Sequence, residues 1–187
     1  MKVMLSGFFQ SMGHRAKQMV SVVVALVIAV STQGCSGVSS AAKEMVGTPA
    51  PYIRFTMLDG TQIPLAFAEG KTAAIIFWTT WCGHSRGTIE DFEELAKKYK
   101  RRKDLVFLAA SLDKADELHK VEGRIQSQGL STVMHAFSGN DVQDEAFLAF
   151  KGESVPYIVV VDARGIIRSV ASSTSELEEY LEARFRP

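Results

Sequence analysis

The sequence predicts an α/β fold, a central sheet flanked by helices, and three features carry that prediction. Two uninterrupted apolar runs, TAAIIFW at residues 72–78 and LVFLAASL at residues 105–112, have the length and composition of strands buried on both faces. Each is followed by a helical pattern, the alternation expected of a layered α/β domain. The chain then closes with a helix, two strands joined by a tight turn, and a last helix.

In chain order, residues 1–34 differ from everything after them. Lys2, Arg15 and Lys17 lie there with no acidic residue, and MVSVVVALVIAVS comes next as a short apolar core before TQGC. That core suits a secretory signal better than a membrane-spanning helix, which needs about 20 apolar residues. The Gly34-Cys35 pair resembles the cleavage site of a bacterial lipoprotein, in which Cys35 carries the lipid and a membrane anchor results; Thr32 departs from the usual Leu three residues before that cysteine. Residues 35–47, small and polar without periodicity, read as a tether. The folded domain is expected over residues 48–187, a comfortable size for one core.

Inside that domain, YIRFTMLDGTQIPLA places Asp59-Gly60 between two short apolar segments, the signature of a hairpin. After the first buried strand, Ile89, Phe92, Leu95 and Tyr99 recur at spacings of three and four. Glu90, Asp91, Glu93, Glu94, Lys97 and Lys98 fill the other faces, acidic before basic as the helix dipole prefers. A second helix is expected from about Lys114 to Gln128, stopped by Gly129. STVMHAFS reads as a short strand, DVQDEAFLAF as a helix, and VPYIVVVDARGIIRSV as two strands about a turn at Asp162 to Gly165. Ser173 and Glu176 form a capping-box pattern ahead of the final helix.

Composition narrows the function classes. The chain has 21 basic and 21 acidic residues, so nothing in its charge calls for nucleic acid. His119 and His135 lack ligand-like spacing, and no metal site or cofactor is implied.

FWTTWCGHS, residues 77–85, is the most informative stretch. It leads from a buried strand through Trp81-Cys82 into a helix, where unpaired N–H groups and the dipole favour a thiolate. Together with VPYIVVVDARGIIRS about seventy residues later, it resembles the thioredoxin superfamily, in particular membrane-tethered extracytoplasmic thioredoxin-like proteins of the redoxin or alkyl hydroperoxide reductase type. The resemblance spans roughly Gly47 to Phe185. It implies a thioredoxin-like fold with a central mixed β-sheet flanked by helices, here with an N-terminal β-hairpin extension. It also implies a cis bond between Val155 and Pro156 facing the cysteine, with the Val155 backbone pairing with an extended substrate. By the same resemblance Trp81 contacts substrate, while Trp78 reads as core.

CGHS resembles the CGHC of protein disulfide isomerases with its last residue changed. His84, when charged, can stabilise the neighbouring thiolate. Ser85 stands where a resolving cysteine would expel the bound partner; its hydroxyl cannot do that, though it can hydrogen-bond the thiolate. Ile76 likewise occupies the position six before the cysteine where dithiol relatives often carry a polar group. The expectation is therefore single-thiol chemistry at Cys82, acting on protein disulfides or small thiols and released by an external thiol reductant. A non-catalytic binding module using the Val155-Pro156 groove is the rival reading. A single-cysteine peroxidase, suggested by Thr79 three before Cys82, is disfavoured by Ile75 where a proline should stand.

Overall fold

The computed structural model describes residues 37–185, with Phe67 described by its backbone alone; the segment read as a signal peptide, residues 1–34, and Cys35 lie outside the described residues. The elements are α1 (Ser40–Lys43), β1 (Arg54–Thr56), β2 (Gln62–Pro64), β3 (Thr72–Trp78), α2 (Gly83–Lys98), β4 (Leu105–Ser111), α3 (Leu118–Gln128), β5 (Met134–Phe137), α4 (Glu145–Ala149), β6 (Tyr157–Val161), β7 (Ile167–Ala171) and α5 (Thr174–Arg184).

Five strands form one mixed sheet in the order β5-β4-β3-β6-β7. The β3–β4 and β4–β5 pairs are parallel, and β3–β6 and β6–β7 are antiparallel. Every residue of β3 is buried, because strand residues alternate faces and here both faces are covered. Ala74, Ile76 and Trp78 pack with Ile89, Phe92 and Leu95 of α2 and with Leu177 and Leu181 of α5. Ala73, Ile75 and Phe77 face the opposite core with Phe147, Phe150 and Tyr157. There Phe77 lies 5.4 Å from Phe147 and 6.1 Å from Tyr157, centroid to centroid. Each such aromatic burial contributes roughly 1.5–3 kcal/mol, which makes β3 a firm base for the turn at its end.

The hairpin at Asp59-Gly60 forms as expected, with β1 and β2 antiparallel, and α3 ends at Gly129 in the left-handed region, φ 62°. Three expectations need correction. The segment read as a tether folds from Ser39 onward: the Ser39 hydroxyl caps α1, Ala42 is buried, and the Gly47 N–H donates to the Ile167 carbonyl at 2.8 Å. A single buried alanine gives no periodicity to read. The capping box at Ser173 does not close on the backbone. Its hydroxyl instead bonds the Glu176 carboxylate at 3.2 Å and the Ser175 hydroxyl at 2.9 Å.

The third correction concerns Glu93, placed by periodicity on the polar face of α2 but only 1% exposed. Its carboxylate accepts the N–H groups of Ser131, Thr132 and Val133 at 3.2, 2.9 and 3.1 Å. The loop between α3 and β5 thereby supplies the donors that a buried carboxylate requires.

The N-terminal segment also meets both outer strands. Residues around Pro49 bridge to Ile166 beside β7, and Met57 bridges to Ala136 of β5. Among the described residues no helix is long and apolar enough to cross a membrane.

Candidate active site

Because β3 is fixed by two cores, the turn leaving its end is held at its root, and Cys82 becomes the N-cap of α2 with φ −80° and ψ 121°. The turn is tied down at three points. Leu112 N–H donates to the Trp78 carbonyl at 2.8 Å. Thr79, fully buried, accepts the Cys82 N–H on its hydroxyl at 3.3 Å. Thr80 donates both its N–H and its hydroxyl to the carboxylate of Asp113.

The Cys82 thiol is half-buried and points its Sγ toward the Val155 carbonyl at 3.7 Å. The Val155-Pro156 bond is cis. Burial pushes the thiol up. Against it act the Ser85 N–H and hydroxyl, then the His84 N–H, then the Arg86 guanidinium, and the balance lies below the ordinary thiol value. Unpaired donors at a helix start are what a thiolate needs.

Of the residues that the sequence singled out, Cys82, Ser85, Val155 and Pro156 converge. Trp81 stands beside them, 60% exposed, while Trp78 is wholly buried in the core. His84 is exposed, and what it gives the sulfur is its backbone N–H; the positive side chain acting on the sulfur is Arg86, which no motif in the sequence picks out. Ser85 is completely buried, and its hydroxyl makes no full hydrogen bond with any group besides its approach to the sulfur. Asp113 and Thr80 also escape sequence reasoning. Only the parallel pairing of β3 with β4 brings them together, and the sole local hint is an acid directly after an apolar run.

The AhpC/TSA family model matches residues 46–170, a span that contains Cys82, Asp113, Val155 and Pro156. The chain belongs to the AhpC/TSA family. No curated relative matches it. In fold, this AhpC/TSA domain is similar to the thioredoxin domain of a thiol-disulfide oxidoreductase from Bacteroides vulgatus, with TM-score 0.64 and 21% identity over 74% of this chain and 96% of that one. It is similar also to a thiol-disulfide oxidoreductase from Bacteroides fragilis, with TM-score 0.61 and 21% identity over 72% and 100%. A third likeness is to a secreted disulfide oxidoreductase of Mycobacterium tuberculosis homologous to DsbE of E. coli, with TM-score 0.58 and 19% identity over 71% and 96%. The fold is thioredoxin-like, as the sequence predicted.

Proposed function

We propose that the protein is an extracytoplasmic, lipid-anchored thiol-disulfide exchange protein working through one nucleophilic thiol, Cys82. The observation that carries this reading is the set of donors around its sulfur: the Ser85 N–H and hydroxyl, the His84 N–H and the nearby Arg86 cation. The Cys82 thiolate attacks one sulfur of a substrate disulfide, forms a mixed disulfide, and expels the other sulfur as a thiolate. The Val155 backbone and exposed Trp81 offer an extended client a place to lie against the sulfur. With serine at position 85, no thiol in the first turn of α2 can expel the client. An external thiolate attacks the client's sulfur in the mixed disulfide, takes the client into a new disulfide and returns the Cys82 thiolate. Electrons balance without a cofactor, and the chemistry suits isomerisation or exchange. The export reading rests on the leader sequence and on a similar fold described as secreted.

The test is the pH dependence of Cys82 alkylation in the full chain carrying Cys35→Ser, which leaves one thiol. Below the thiol pKa the alkylation rate falls about tenfold per pH unit, so a lowered pKa moves the inflection well below the reference near 8.5 and keeps the rate high at pH 7. An inflection at or above that reference would retire the thiol and leave a binding module built on the Val155 loop.

A further inference from the structure

Asp113 comes just after β4 and is fully buried, and no step of the exchange proposed at Cys82 uses its carboxylate. It accepts the Thr80 N–H at 3.0 and 3.2 Å on its two oxygens, the Thr80 hydroxyl at 2.5 Å and the Ser111 hydroxyl at 2.7 Å. Its own N–H donates to the Ser111 hydroxyl at 3.2 Å. A buried carboxylate is costly unless its oxygens are filled by donors, and here two of the donors come from a single residue of the turn that carries Cys82.

We infer that Asp113 is a positioning residue for Cys82, clamping Thr80 so that the turn from β3 into α2 sets the sulfur against the donors of the helix start. The inference rests on the reading of Cys82 as the nucleophile. Thr80 lies two residues before Cys82, and its neighbour Thr79 receives the Cys82 N–H. The Leu112 N–H bond to the Trp78 carbonyl extends the β3–β4 pairing up to the clamp. Backbone and side chain of Thr80 are gripped together, so both the path of the turn and its twist are fixed. Donors around a thiolate lose their effect steeply with distance and angle, so a small drift of the turn weakens them.

Three roles for Asp113 predict three different signs. As a clamp, its loss loosens the turn and raises the Cys82 thiol pKa. As a bare negative charge near the sulfur, its loss would lower that pKa. As a purely structural group, its loss would cost stability and leave the pKa in place.

The experiment compares Asp113→Asn with Ser111→Ala in the full chain carrying Cys35→Ser, reading the alkylation inflection, Tm and amide hydrogen exchange over residues 80–84. Asp113→Asn keeps the side-chain size but turns an amide toward donors. We expect its inflection to rise by about one unit, with alkylation at pH 7 slowed severalfold, up to about tenfold, together with faster exchange over residues 80–84. Ser111→Ala removes a donor outside the turn, so it should lower Tm and leave the inflection unchanged. An inflection in Asp113→Asn that stays put or falls overturns the clamp. If Asp113→Asn does not fold, Thr80→Val removes the hydroxyl bond alone; a smaller rise supports the inference and an unchanged inflection overturns it. A parent protein with an ordinary inflection sinks the nucleophile reading instead, and exchange over residues 80–84 then judges the clamp by itself, faster in the variant or not.

Discussion

Ser85 is buried in the first turn of α2 with a hydroxyl that completes no hydrogen bond. A buried polar group left unpaired costs about 1–3 kcal/mol, and the sulfur of Cys82 is the group beside it that can lessen the cost by ionising. The residue thus does more than fill the position: its N–H and hydroxyl hold the Cys82 thiol below its ordinary value against the effect of burial. Ser85→Cys replaces the hydroxyl by a thiol of similar size and weaker hydrogen-bonding demand. We expect that variant to reduce insulin disulfides severalfold faster than the parent with dithiothreitol as reductant, because the substituted thiol can expel the client. No gain would mean that the groove at Val155 does not accept extended clients. A Cys82→Ser background should abolish the gain.

At the scale of elements, α2 does two jobs, presenting its N-terminus to the sulfur and holding the start of β5 through Glu93. The three N–H groups that Glu93 accepts belong to the loop between α3 and β5, so its removal orphans several buried donors at once. Glu93→Ala should lower unfolding stability by about 2–4 kcal/mol in urea titration, and Glu93→Gln by less. Equal, negligible losses would show that water replaces the carboxylate. The surface pairs from Lys98 to Glu178 and Glu182, which join α2 to α5, are solvent-screened and contribute little beside the buried Glu93.

Elements buried on two faces were legible from the sequence for the same reason that they are stable. TAAIIFW has no polar residue after Thr72 because no position of β3 meets solvent, and Gly129 marks the end of α3 because the chain there needs a positive φ. Glu93 misled because periodicity assigns a charge to the outer face and cannot foresee three distant N–H groups. Thr80 and Asp113 stand 33 residues apart, and Cys82 and Val155 stand 73 apart. The local half of the site, a thiol opening a helix, could be read directly; the Val155 side came through family resemblance, and the clamp required the sheet.

For the molecule as a whole, the N-terminal segment is the part whose importance the sequence least suggested. The Gly47 and Ala50 N–H groups donate to the carbonyls of Ile167 and Gly165, the Ile167 N–H donates to Thr48, and the Leu58 N–H donates to the His135 carbonyl. Deleting residues 37–50 should therefore lower Tm and produce concentration-dependent association in sedimentation, at protein concentrations where the intact domain stays monodisperse. A monodisperse deletion variant would show that β7 needs no cover.

Those few backbone bonds bear on how the proposed exchange function would treat its clients. An unfolded polypeptide offers strands as well as sulfurs, and an open sheet margin would capture it anywhere along its length. Here the folded N-terminal stretch and the β1–β2 hairpin after it occupy part of each margin, one beside β7 and the other beside β5. Adhesion is discouraged at the flanks, so on the function proposed above a client's lasting hold would be the covalent one at Cys82, which an external thiol could undo.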